Sequence, residues 1–221
     1  MGAAAVRFAL LADGPPSMID QPTVFVVDDD RSVRRSIMRL LTAAGLRVEG
    51  FASAEAFLDS EHTDGPGCVV LDVRMSGMSG LELQRRLTTV GRPMATVFIT
   101  GHGDVPMRVA AMKAGAVDFL LKPFDAEALL AAVDRAIARD RTRLLKRQEL
   151  DGLRARYGRL TPRQQQVFAW VATGLLNKQV AAQLGTSEKT IKVHRGRVMT
   201  TMGAASLADL VRQAERLQLS P

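Results

Sequence analysis

The residues with the most chemistry to offer each stand just behind an apolar run. Asp28, Asp29 and Asp30 follow Val24–Val27, and Asp72 follows Cys68–Leu71. Thr100 follows Thr96–Ile99, and Lys122 with Pro123 comes just after Val117–Leu120. Clustered carboxylates repel one another and call for a cation. A hard divalent ion such as Mg2+, or Mn2+ in its place, suits oxygen ligands and tolerates retained waters. A carboxylate beside such an ion can attack a phosphoryl donor and become an aspartyl phosphate. A lysine and the ion would offset charge on the transferring group, and a hydroxyl could hydrogen-bond the new phosphoryl oxygens. Singly, each residue has an ordinary explanation: Asp caps helices, Thr ends strands and Lys-Pro opens a turn. Delivered together, they point to one acid site.

These residues meet only if the runs before them lie side by side. The four runs, with a weaker one near Val48, alternate with amphipathic stretches at Val33–Ala44, Ala54–Leu58, Leu81–Leu87, Val105–Met112 and Ala126–Ile137. Five buried strands alternating with five helices predict an α/β domain, a doubly wound parallel sheet covered on both faces. Open sheets of this kind collect chemistry beyond the carboxyl ends of their strands. The single cysteine, Cys68, excludes an intramolecular disulfide and reads as a buried strand thiol, which suits a reducing cytoplasm. No segment approaches the roughly 18 apolar residues of a membrane span, so no membrane partner is expected. The apolar stretch Ala3–Ala12 is short and broken by Arg7, so residues 1–20 are expected to be a disordered extension, with Met18 as an alternative start.

Charge divides the chain. Residues 141–221 hold 15 Lys and Arg against 5 Asp and Glu, whereas residues 1–140 hold 15 against 18. The basic part should seek polyanions. The strand patterns stop after Tyr157. Thr161 and Pro162 read as the N-cap and first residue of a helix, and Asn177–Leu184 as a short second helix ended by Gly185. Ser187 caps a third that runs to about Met202, and a fourth starts near Ser206. Helix, short glycine-containing turn, helix is the helix-turn-helix pattern. On the third helix Ile191, Val198 and Met202 fall on one side with His194 at its edge; Lys189, Lys192, Val193, Gly196, Arg197 and Thr200 fall on the other. A cationic face with one small apolar residue suits a major groove, with Lys and Arg on phosphates or guanine edges and Val193 on a thymine methyl.

Residues 23–138 resemble a CheY-like (flavodoxin-like) receiver domain. The likeness is carried by Val27-Asp28-Asp29-Asp30, Leu71-Asp72-Val73-Arg74-Met75, Thr100 and Lys122-Pro123. The resemblance implies Asp72 as phosphoacceptor, Asp29 as a direct Mg2+ ligand, Asp28 acting largely through water, and the backbone carbonyl of Arg74 as the third protein ligand. It also implies Thr100 as the switch hydroxyl, Lys122 as the family's lysine, Phe119 as the switch aromatic, and a cis peptide before Pro123. Ser76 stands where the family usually has proline, a change expected to loosen the loop without touching a charge. The run Ile99-Thr100-Gly101-His102-Gly103-Asp104-Val105-Pro106 resembles the FixJ branch, with His102 a loop residue. Residues 159–217 resemble the LuxR-type DNA-binding domain of the NarL/FixJ response regulators through Asn177-Lys178-Gln179-Val180-Ala181 and Thr190-Ile191-Lys192-Val193-His194-Arg195. Gln164, Gln166 and Thr201 depart from that pattern.

The expected organisation is an extension over 1–20, a receiver domain over 21–138, a helical linker over 139–157 and a small all-α helix-turn-helix domain over 158–221. The expected function is that of a two-component response regulator, not an enzyme. A sensor histidine kinase phosphorylates Asp72, Phe119 turns inward, and the chain forms a homodimer. It then binds promoter DNA through Lys178, Lys189, Thr190, Lys192, Val193 and Arg197 and works with RNA polymerase, in the direction of activation. A haloacid-dehalogenase-type phosphatase is the competing enzyme class. It wants Thr or Val where Asp28-Asp29-Asp30-Arg31-Ser32 ends in Ser, and it has no use for a helix-turn-helix. A small-molecule-sensing LuxR regulator would need an apolar pocket where the front half offers acid.

Overall fold

A computed structural model describes residues 21–61, 65–101 and 105–219. The expected extension over 1–20 and His102 lie outside the described residues. The chain divides between Thr142 and Arg143 into two compact units.

In the first unit strands and helices alternate: β1 (Thr23–Val27), α1 (Arg31–Ala43), β2 (Arg47–Phe51), α2 (Ala54–Leu58), β3 (Gly67–Asp72), α3 (Gly80–Thr89), β4 (Ala95–Thr100), α4 (Val105–Lys113), β5 (Asp118–Leu121) and the first part of α5 (Ala126–Gly158). The strands pair in parallel in the order β2-β1-β3-β4-β5. Successive residues of a strand point to opposite faces, which splits the core in two. Val24, Val26, Cys68, Val70, Val97 and Ile99 pack with α1 and α5. Phe25, Val27, Val69, Leu71 and Phe98 pack with α2, α3 and α4. β1, β3 and β4 are buried along their whole length, which explains their near-continuous apolar sequences. Register fixes the site. Val27 pairs with Leu71 and Asp72 with Ile99, so the residues that follow β1, β3 and β4 leave the sheet on the same edge.

The second unit holds the rest of α5, then α6 (Pro162–Ala172), α7 (Asn177–Gln183), α8 (Glu188–Met202) and α9 (Leu207–Leu217). Its core is Leu153, Leu160, Val167, Phe168, Val180, Ile191, Val198, Met202 and Leu210 with their neighbours. α6 starts with a capping box: Gln164 N donates to Thr161 Oγ1 at 3.3 Å and Thr161 N donates to Gln164 Oε1 at 2.9 Å. Gln164 thus does the work a glutamate would do there. Gly203 ends α8 with φ 66°, a left-handed conformation that glycine takes without strain. Residues 139–157 lie wholly within α5. Gly67 N donates to Asp140 Oδ2 at 3.1 Å in the first unit, and Leu153 is buried in the core of the second.

Candidate functional site

The acid site is assembled from four loops on the carboxyl edge of the sheet. Asp28 closes β1 and is fully buried; Asp72 is the last residue of β3 and is 6% exposed; Thr100 ends β4 and is fully buried. The Lys122–Pro123 peptide is cis, and Lys122 N donates to Thr100 O at 2.8 Å, which ties the lysine to the end of β4. The Lys122 ammonium donates to Asp28 Oδ2 at 2.7 Å and to Asp72 Oδ2 at 2.6 Å. Backbone amides take other oxygens: Asp30 N donates to Asp28 Oδ1 at 2.9 Å and Arg74 N to Asp72 Oδ1 at 3.0 Å.

The three consecutive acids separate by role. Asp30 caps α1, accepting from Ser32 N at 2.7 Å and Val33 N at 3.2 Å. Asp28 turns inward. Asp29 stays exposed, and both Ser76 N and Ser76 Oγ donate to its Oδ2 at 2.8 Å. This corrects the expectation that Ser76 touches no charge: proline in its place would supply neither donor. The environments tune the acids in opposite directions. Burial pushes the Asp28 carboxyl above the usual carboxylate range, against the pull of Lys122. The Ser76 amide and then its hydroxyl hold Asp29 below that range. Burial pulls on Lys122 as well, but its bonds to Asp28 and Asp72 prevail and raise it.

Asp28, Asp29 and Asp72 each bring one carboxylate oxygen within 4.8 Å of the others. Three hard oxygen donors this close fit a small divalent cation such as Mg2+. Phe119, the expected switch aromatic, is 5% exposed here and packs in the α2–α3–α4 core. An aromatic ring without a hydroxyl gains nothing from staying in water.

Two supporting residues escaped the sequence. Arg34 donates from Nη1 to Asp28 O at 2.5 Å, pinning the loop from one turn into α1. Gly80 begins α3 against the phosphoacceptor strand: a Cβ there would lie 2.2 Å from Asp72 O. Gly80 could have been flagged as the first residue of a helix already capped by Ser79; Arg34 left no signal in its spacing.

In the second unit α8 presents Ile191, Val198 and Met202 inward and exposes Lys189, Lys192, Val193, Gly196 and Arg197. Thr190 is half-buried, and its amide donates to the cap, Ser187 Oγ, at 3.2 Å. Lys178 is exposed on α7. Lys192, Val193, Gly196, Arg197 and Thr200 line an open hollow of about 630 Å³ together with Arg159, a cation the sequence did not single out. Two bonds hold the helices in place: Arg163 Nη2 donates to Leu184 O at 2.5 Å and Arg195 Nη1 to Asn177 Oδ1 at 3.2 Å. Among the described residues no helix is long and apolar enough to cross a membrane.

Residues 24–134 match the response regulator receiver domain model, and residues 159–214 match that of bacterial regulatory proteins of the luxR family. The chain is 51% identical over 197 residues to nodulation protein W of Bradyrhizobium diazoefficiens, covering 89% of this chain and 87% of that one. It is 46% identical over 198 residues to the transcriptional regulatory protein FixJ of Azorhizobium caulinodans, covering 90% and 94%. The structure of the response regulator StyR superposes with a TM-score of 0.76 at 48% identity, over 89% of this chain and 99% of that one. With both halves matched in this order, the chain belongs to the two-component response regulators that join a receiver domain to a LuxR-type DNA-binding domain, and it is a transcription regulator rather than an enzyme.

Proposed function

We propose that this regulator is switched by phosphorylation of Asp72 and acts as a dimer on promoter DNA. The observation that carries the reading is the Lys122 ammonium bridging Asp28 and Asp72 beside Asp29. Asp72 attacks the phosphorus of a phosphohistidine on a sensor kinase. The new O–P bond forms as the P–N bond breaks, and the imidazole, already protonated on its other nitrogen, leaves as the neutral ring. Asp29 would hold Mg2+ directly and Asp28 largely through water, with Asp72 and the Arg74 carbonyl as the remaining protein ligands. The bound ion would screen the carboxylates and draw charge from the transferring group. Lys122 follows the phosphoryl group once Asp72 has given up its charge, and Thr100 donates its hydroxyl to a phosphoryl oxygen.

The phosphoryl group brings roughly −1.5 to −2 charge at pH 7. Its pull on Thr100 and Lys122 reshapes α4 and β5, where Val109, Met112 and Leu121 are exposed apolar side chains. Two receivers pair there by two-fold symmetry. Pairing raises the effective concentration of two basic domains on DNA. Lys189, Lys192, Val193 and Arg197 then enter the major groove, while Thr190 and Lys178 meet the backbone. The likeness to FixJ supports activation through RNA polymerase, in the cytoplasm where promoter and kinase are both available. The domain limits that fit this division are a receiver over 21–138, a helical linker over 139–157 and a DNA-binding domain over 158–221.

The test is labelling with acetyl phosphate. The full chain should take up one phosphoryl group only when Mg2+ is present. Asp72→Asn should abolish uptake, and Asp29→Ala should do so by removing the metal. Full labelling of the Asp72→Asn protein would sink the assignment.

A further inference from the structure

The loop after Asp72 is tied down in an alternating pattern. Three of its amides, two residues apart, each donate to a carboxylate: Arg74 N to Asp72 at 3.0 Å, Ser76 N to Asp29 at 2.8 Å and Met78 N to Glu55 at 3.2 Å. Gly77 between the last two takes φ 84°, which lets the chain turn there without strain. Only at Ser76 does a side chain double the amide, with Oγ also 2.8 Å from Asp29 Oδ2. Both distances are those of well-formed hydrogen bonds.

We infer that Ser76 is a positioning residue for the divalent cation, holding the Asp29 carboxylate in its binding orientation through amide and hydroxyl together. The inference rests on Asp29 being a metal ligand. Asp29 is exposed on a short loop, where a carboxylate by itself samples several rotamers. Fixing one of them at the moment of metal binding costs entropy. Two donors on the same oxygen fix it beforehand and leave Oδ1 for the cation. Partners of this kind, one bond removed from a metal, orient the ligand and raise the affinity of the site. A proline at this position would stiffen the loop by its ring. Serine reaches the same end by bonding to the ligand itself, so in this chain loop order and carboxylate order are one property.

The experiment is titration of the full chain with MgCl2 by isothermal calorimetry. Ser76→Ala keeps the amide and loses the hydroxyl, and its Kd for Mg2+ should rise by roughly tenfold, at the low end of the effect of outer partners because one donor remains. Ser76→Thr restores the hydroxyl and should return Kd to within about twofold of the parent. Asp29→Ala is the reference for losing the ligand and should bind Mg2+ far more weakly than either. An unchanged or tighter Kd in Ser76→Ala, with Asp29→Ala impaired, would overturn the role of Ser76 alone; so would Ser76→Thr as weak as Ser76→Ala. An Asp29→Ala protein that binds Mg2+ normally would instead overturn the assignment of Asp29 on which this rests.

Discussion

At the scale of single residues, Lys122 joins the acid site to the stability of the receiver. Its ammonium holds two carboxylates, one of them fully buried, at 2.7 and 2.6 Å. Removing one partner of a buried pair costs about 3–5 kcal/mol, because the remaining charges stay in place without compensation. Lys122→Met should therefore lower unfolding stability in a chelated buffer by an amount of that order. The pH dependence has a definite sign. The folded chain raises the Lys122 pKa above its ordinary 10.5, so the unfolded chain releases that proton first. The stabilisation is complete below about pH 10.5 and is lost as pH rises through the folded value. Denaturant unfolding of parent and Lys122→Met proteins from about pH 8 to about pH 11 should show a gap that narrows only at the alkaline end. A gap that widens there would contradict the ion-pair account.

Helix starts and faces belong to the next scale. α3 begins with Gly80 because nothing larger fits: the Cβ of an alanine would meet Asp72 O at 2.2 Å and the Leu71 side chain at 2.9 Å. The first obstacle is backbone and cannot swing aside, so α3 or the end of β3 has to shift. Gly80→Ala should destabilise the receiver by about 1–3 kcal/mol, as overpacked sites do. It should also slow phosphorylation of Asp72 by acetyl phosphate. Normal kinetics in a destabilised protein would mean that α3 alone moves. α8 makes the parallel case for DNA. Its buried stripe anchors it through Ile191, Val198 and Met202, leaving Lys192 and Arg197 outward beside Arg159. Lys192→Ala and Arg197→Ala should each weaken operator binding by about 1–3 kcal/mol, and a lost phosphate contact should lower the slope of log affinity against log salt by roughly one. Lys178→Ala should weaken all sequences alike, as a backbone contact does. Binding that is indifferent to salt would exclude the proposed face.

For the whole molecule the question is how one added phosphoryl group changes the assembly state. Phe119 is buried in this conformation, and the proposed switch starts at the acid site itself. That switch is the redistribution of charge at Lys122 and Thr100 and its effect on α4 and β5, whose exposed Val109, Met112 and Leu121 offer apolar area for pairing. Sedimentation of the full chain with Mg2+ should give a monomer mass, and addition of beryllofluoride should double it. Enhanced DNA binding at unchanged mass would mean that phosphorylation acts by freeing the DNA-binding domain rather than by pairing receivers.

The sequence by itself determined whatever depends on period and local chemistry. Apolar runs alternating with amphipathic stretches specified a parallel sheet, because strands buried on both faces must be apolar throughout. Asp28, Asp72, Thr100 and Lys122 were legible as a site because each follows such a run. Thr161 and Ser187 act within one turn of chain, so the starts of α6 and α8 were legible too, whereas β5, Asp118–Leu121, lies one residue beyond its apolar run Val117–Leu120. Tertiary structure alone decided what depends on contacts between distant segments. Which of three adjacent acids turns inward follows from the loop and from Lys122, 94 residues away from Asp28. That Ser76 grips Asp29 follows from a loop 47 residues further on. That Gly80 is required follows from the packing of α3 on β3, and that Phe119 is buried follows from the space between β5 and α4. Apart from the Ser79 cap ahead of Gly80, none of these has a period or a local cap to betray it, because each is fixed by which surfaces the fold brings face to face.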